Sequence, residues 1–240
     1  MKKLGFTLAE VLVTLGIIGV VSAMTIPALT QNWQKKSYVT QLHKVYNVFQ
    51  QAFTSMMTEA NALNIAEAGF YNRSSEGAGT SEKEFLHEHF KVIKDCGTST
   101  SGCFASSYRN INGQSFSFSP SGYKVAIAGG PAISFYIDGI DTGTYETDDY
   151  VGYIFVDTNG PKGPNIQGRD LFMMYYFADG ILDAYHINPA CRKNGTSCNG
   201  PNSAKHARET RFNSYCKSST GWDQGGCFAK ILNDNWEMNY

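Results

Sequence analysis

Apolar and polar positions sort the chain into three regimes. From Phe6 to Leu29 almost every residue is apolar or small and Glu10 is the only charge. As a helix this stretch is about 36 Å long, enough to cross a hydrocarbon core of about 30 Å. Beyond it Val39, Leu42, Tyr46, Phe49, Phe53 and Met56 advance in steps of three and four, while Gln41, Lys44, Asn47 and Gln50 take the other side. That spacing predicts one helix from Phe6 to about Met57, apolar all round at first and one-sided afterwards.

The third regime begins after a loop rich in Ala, Asn, Ser and Gly between Asn61 and Gly79. A second helix is expected from the S-x-x-E pattern of Ser81 and Glu84, with Phe85, Leu86, Phe90 and Ile93 as its apolar side. From Gln114 the period moves towards two. Ser115–Ser119, Tyr123–Ala128, Ala132–Asp138, Val151–Asp157, Leu171–Ala178 and Ile181–Ile187 read as strands, with Asp179-Gly180 as a two-residue hairpin turn. In the tail, Phe228, Ile231, Leu232 and Trp236 have a spacing that docks on the sheet. The fold class is therefore α+β, a long N-terminal helix packed against an antiparallel sheet.

Charge and composition remove some alternatives. Lys and Arg number 20 against 21 Asp and Glu, a balance that lacks the broad basic surface of a nucleic-acid binder. A hydrophobic fraction of 42% at that low net charge excludes a disordered chain. Cysteines stand at 96, 103, 191, 198, 216 and 227. Fifteen pairings are open in principle, and local closure favours Cys96-Cys103, Cys191-Cys198 and Cys216-Cys227. The competing zinc reading meets spacings wider than the usual knuckle. An even set of disulfides places this part of the chain in an oxidising space.

Gly5-Phe6-Thr7-Leu8-Ala9-Glu10, the Lys2-Lys3 leader before it, the apolar run after it and Pro27 near its end closely resemble the type IV prepilin signature, shared with the pseudopilins of type II secretion. The resemblance is dense over about the first 30 residues; downstream it extends only to the general pilin plan. It implies a leader of residues 1–5 removed by a prepilin peptidase between Gly5 and Phe6, and N-methylation of Phe6. A transmembrane and filament-core helix over 6–29, its amphipathic continuation over 30–60 and an extracytoplasmic α+β domain over 61–240 follow. Thr7, Glu10, Gly16, Gly19 and Pro27 are the implied assembly residues. The Glu10 carboxylate meets a neighbour's Phe6 amine in the filament, and the glycines and proline permit close approach and unwinding. The implied partners are other pilin subunits, the peptidase and an inner-membrane assembly platform, with the chain anchored once in the cytoplasmic membrane.

The same resemblance bears on Asp157, Asn159, Asn165 and Asp170, because some pseudopilins hold calcium near their C-terminal region. Oxygen ligands at loop spacing suit that ion, whereas Pro161, Lys162 and Pro164 and the missing twelfth-position Glu suit an Asn-Gly turn, and both readings stay open. No other cofactor is expected. Ser214 and Lys217 match S-x-x-K by chance spacing, His87 and His89 read as solvated, and no nucleotide loop, HExxH or nucleophile elbow is present, so the chain does not read as an enzyme. Three functions remain: a specialised or minor pilus subunit, a type II secretion pseudopilin, and a monomeric anchored binding protein. The length beyond the leader favours a specialised subunit.

Overall fold

A computed structural model describes residues 5, 7–70, 80–138, 150–195, 198, 203–218 and 221–240. The chain divides into two compact units, Met1–Ser37 and Tyr38–Tyr240, and one helix, α1 (Leu8–Glu59), runs through both.

In the second unit α1 supplies a buried stripe of Val39, Leu42, Val45, Phe49, Ala52 and Phe53. Tyr46 and Met56, expected in that stripe, are its half-buried margins. The stripe is wider than a coiled-coil seam because a sheet, rather than a second helix, receives it. After α1 a π-helical turn occupies Ala66–Phe70, and α2 (Thr80–His89) follows. This helix starts one residue before the expected Ser81 cap, so Ser81 lies inside its first turn. It also ends earlier than the apolar pattern implied. Val92–Gly97 is a strand, β1, and Ile93, expected on the helix, is 65% exposed on it.

Two short strands, β2 (Tyr108–Arg109) and β3 (Ser115–Phe116), pair as a separate ribbon. The remaining strands are β4 (Tyr123–Ile127), β5 (Ala132–Ile137), β6 (Tyr150–Asp157), β7 (Leu171–Phe177) and β8 (Leu182–Asp183). With β1 they form a six-stranded sheet in the order β1-β4-β5-β6-β7-β8, every neighbouring pair antiparallel. The edge strand β1 carries two register shifts against β4, which twist it away from a flat pairing edge.

Alternation along β5, β6 and β7 sends Ile133, Phe135, Ile154, Val156, Phe172, Met174 and Tyr176 towards α1. Ala132, Phe155, Leu171, Met173 and Tyr175 go to the other face, where Phe104, Tyr108, Phe116 and Phe118 cover them. That second cover explains why β7 is buried at all seven positions: the sheet has a core on both faces, and this strand, next to the short edge strand β8, reads as a continuous apolar run. The Asp179-Gly180 turn joins β7 to β8. Gly180 has φ 75°, and a Cβ there would lie 3.0 Å from Met57 and 3.2 Å from Phe53. Its carbonyl also accepts from Gln50 Nε2 at 2.6 Å, so this turn needs glycine both for its backbone and for the approach of α1.

The C-terminal stretch holds helices that periodicity missed: α3 (Pro189–Asn194), capped by the Asn188 side chain, and α4 (Ala204–Arg211), capped by Ser203. A π-helical turn, Phe212–Lys217, leads to the tail helix α5 (Gly226–Asn233). Disulfides join Cys96 to Cys103, Cys191 to Cys198 and Cys216 to Cys227. The strand expected over Ile181–Ile187 shrinks to β8, because Asp183 turns inward to form a fork with Arg208, Nε to Oδ1 at 2.9 Å. Asp223 is fully buried and accepts the backbone N–H groups of Gly225 (3.2 Å) and Cys227 (3.0 Å), which holds the start of α5.

Phe49 is the hub of the α1 contact, with ring centroids 4.9 Å from Phe90, 5.4 Å from Phe135 and 5.7 Å from Phe85. Phe49→Ala is expected to destabilise the folded chain by about 3–5 kcal/mol, read from chemical denaturation of the detergent-solubilised protein. Burial pushes the Asp223 carboxyl up to about 7 against an ordinary 3.8. A folded-state pKa above the unfolded one stabilises fully below the unfolded value, and that stability is lost as pH rises through the folded value. Melting temperature is therefore expected to fall as pH rises from about 4 to about 7, and to fall less in Asp223→Asn.

Candidate functional site

In the first unit, α1 begins with two residues that hold each other. The Thr7 N–H and the Thr7 hydroxyl each donate to Glu10 Oε2 at 2.8 Å, and the Glu10 N–H donates to Thr7 Oγ1 at 3.3 Å. This is a reciprocal capping box: the N-cap hydroxyl takes one orphan amide of the helix end, and the carboxylate takes another. Gly5 lies just outside the helix and is exposed. Phe6 and the leader 1–4 lie outside the described residues. The capping role of Thr7 escaped the sequence reading although the T-x-x-E signal stands in the sequence.

Beyond the box the helix shows no protein cover. Leu8, Leu12, Val13, Leu15, Ile17, Ile18, Val20, Met24, Ile26 and Leu29 are each more than half exposed. The best window of α1 has mean hydropathy 2.2 and is 0% buried within the protein. A helix apolar all round needs an apolar surrounding, either lipid or other helices.

The helix is continuous through Gly16, Gly19 and Pro27. At either glycine an added Cβ would meet nothing within 4 Å, so nothing inside this chain requires the small residue. Pro27 supplies no N–H, and hydroxyls near it bond back along the helix: Thr25 to the Val21 carbonyl and Thr30 to that of Ile26, both at 2.9 Å. Such back-bonding satisfies backbone acceptors locally and softens the helix.

Residues 1–26 match the family model described as the prokaryotic N-terminal methylation motif. This chain carries the signal motif of type IV pilins and pseudopilins. No curated protein and no solved structure matches it. The pilin-type motif thus sits on a helix apolar enough to anchor in a membrane, followed by an α+β unit of a long helix and a six-stranded antiparallel sheet, which is consistent with a pilin fold.

Of the four oxygen-bearing residues expected to serve calcium, Asp157 ends β6, and Asn159, Asn165 and Asp170 lie in the loop that leads to β7. The Tyr108 hydroxyl donates to Asp157 Oδ2, and the Asn159 N–H donates to Oδ1 at 3.2 Å. Asp170 accepts from the N–H of Asn165 at 2.7 Å and of Ile166 at 2.6 Å, one on each oxygen. Asn159 Nδ2 donates to the Gly163 carbonyl at 2.8 Å. Burial raises both carboxyls, and at Asp157 the charge of Asp170 raises it further.

Calcium takes six to eight oxygen ligands. Here all four carboxylate oxygens face N–H or O–H donors, and although Asn159 Oδ1 and Asn165 Oδ1 are buried without a donor, two amide oxygens do not make a cage. Among the described residues no group of three His, Cys, Asp or Glu side chains could hold a metal ion. The hydrogen bonds formed here are those of a turn closed by its own side chains.

The remaining candidates also have local roles. Ser214 is exposed while the Lys217 ammonium lies over the Phe212 ring at 5.0 Å, which gives the S-x-x-K pair no nucleophile geometry. His87 is exposed, as expected, and contacts Asp95 at 3.1 Å at the surface, while His89 is half-buried and packs edge-on to Phe85. The melting temperature of the chain is expected to stay unmoved by a calcium chelator and by added calcium, measured by differential scanning fluorimetry.

Proposed function

We propose that the chain is a specialised or minor subunit of a type IV pilus or pilus-like filament. The observation that supports this is the reciprocally capped Thr7-Glu10 pair at the head of a helix whose apolar side chains have no cover within the chain. In this reading the first half of α1 anchors the subunit in the cytoplasmic membrane with the α+β unit outside. A prepilin peptidase removes residues 1–5, Phe6 becomes the methylated terminus, and the helices of successive subunits bundle.

Glu10 then has two tasks in sequence. In the stored subunit Thr7 supplies donors that offset part of the cost of a carboxylate near lipid, about 2.5–3.5 kcal/mol at a bilayer centre. In the filament a neighbour's Phe6 amine becomes its partner, so two charges that are costly in an apolar bundle neutralise each other. Gly16 and Gly19 let neighbouring helices approach, which accounts for small residues where this chain itself leaves open space. A type II secretion pseudopilin shares every one of these features, since the motif is common to both.

Two measurements test the proposal. Mass spectrometry of protein from its native membrane is expected to show loss of the first five residues and a methylated Phe6; an intact Met1 overturns it. Glu10→Gln keeps the capping box, since glutamine also closes it, but removes the charge. Both Glu10→Gln and Glu10→Ala are expected to insert normally and to abolish filament assembly. Assembly at the wild-type level in either variant overturns the role given to the Glu10 charge, and a wild-type chain that never assembles overturns the filament reading in favour of a monomeric anchored protein.

A further inference from the structure

Trp33 is 71% exposed on α1, in the run Gln31-Asn32-Trp33-Gln34-Lys35-Lys36 that follows the last residue of the apolar stretch, Leu29. The other two tryptophans of the chain are packed: Trp236 stacks on His43 at 3.9 Å and Trp222 lies edge-on to Phe155 at 5.1 Å. An indole has an apolar body and one N–H donor, so neither hydrocarbon nor bulk water suits it and the headgroup layer does. Lysines about two turns beyond an apolar span, as Lys35 and Lys36 are beyond Leu29, place their ammoniums among anionic headgroups while their stems lie along the helix.

We propose that Trp33, with Lys35 and Lys36, seats the helix in the phospholipid headgroup layer on the side of the α+β unit and thereby sets how deeply α1 is inserted. The proposal rests on the membrane-anchored reading above and adds a register to it. Glu10 lies 23 positions before Trp33, about 35 Å along a helix at about 1.5 Å per residue. A usual tilt of about 20° shortens this to about 33 Å, slightly more than a hydrocarbon core of about 30 Å. With Trp33 at one boundary, the Thr7-Glu10 box emerges at the opposite one, and the bond between Gly5 and Phe6 lies beyond it among the headgroups. The carboxylate is then stored at the edge of the hydrocarbon rather than at its centre, and the processing bond is open to a peptidase working from that face. The partner of this collar is lipid, not a second copy of the chain.

The test reads the emission of Trp33 alone, as the difference between the full-length protein and its Trp33→Phe variant, which leaves both packed tryptophans in place. Each is reconstituted at low protein-to-lipid ratio into phosphatidylethanolamine–phosphatidylglycerol vesicles carrying lipid brominated either high on the acyl chain or near its end. Leu29→Trp in the Trp33→Phe background serves as a ruler about one helical turn deeper. The expected result is stronger quenching of Trp33 by the shallow bromines, stronger quenching of the ruler by the deep ones, and shielding of both from aqueous acrylamide. Acrylamide quenching of Trp33 equal to that of free tryptophan, with the ruler still shielded, overturns the proposal; so does strongest quenching by the deep bromines, or bromine quenching that appears only when the protein is concentrated. Failure of the chain to float with the vesicles overturns the membrane reading itself, a separate outcome.

Discussion

The burial of one side of α1 from Tyr38 onward is the contact on which the globular unit depends. Phe49 and Phe53 leave water on the same surface as Phe85, Phe90, Phe135 and Tyr176, and rings of this size carry most of the apolar area a core of this kind buries. Remove the helix and the inner face of the sheet is bare, since α2 meets only part of it. The second half of α1 is therefore a structural member of the folded unit, and its first half is a helix with the opposite requirement, an apolar surrounding that the chain does not provide.

That division explains the distribution of chemistry. The groups that perturb one another electrostatically, Asp157 with Asp170 and Tyr108, Asp183 with Arg208, and Asp223 at the start of α5, hold loops and helix ends inside the globular unit. Each buried carboxylate finds N–H, O–H or guanidinium donors, as buried charges must. Their raised or paired states are accounted for by structural tasks. The side chains that we propose act in assembly lie instead at the far N-terminal end of α1, where Thr7 and Glu10 close on each other.

Disulfides complete the design of the C-terminal stretch. Among the described residues from β8 to the end of the chain there is no strand beyond the two residues of β8, and the α-helices are eight residues or fewer. Helices that short are marginal alone. Cys191-Cys198 ties α3 to the segment after it, Cys216-Cys227 ties the π-helical turn to α5, and Asp223 accepts the N–H of the bridged Cys227. A membrane helix needs no such aid, because its backbone is satisfied within itself.

Much was legible in the sequence because it rests on local period and composition: the long helix, the strands from Tyr123 to Phe177, the Asp179-Gly180 turn, and the motif of residues 1–26, whose letters are read by position alone. The S-x-x-E signal marks the limit of such reading. It suggests a cap at Ser81, where the helix starts a residue earlier, while the like pattern at Thr7 and Glu10 closes a true box, since four letters do not say where the preceding backbone leaves the helix. Ile93 shows the same limit: its spacing from Phe90 suits a helix, but pairing with β4 makes it part of an edge strand. Only tertiary structure decided that β7 would be buried on both faces, that Asp183 would cut the last strand short, and that the calcium candidates would turn their oxygens to N–H and O–H donors. Those outcomes depend on groups far apart in the chain, such as Tyr108 meeting Asp157 and Arg208 meeting Asp183. Local period carries no information about partners that only the fold brings together.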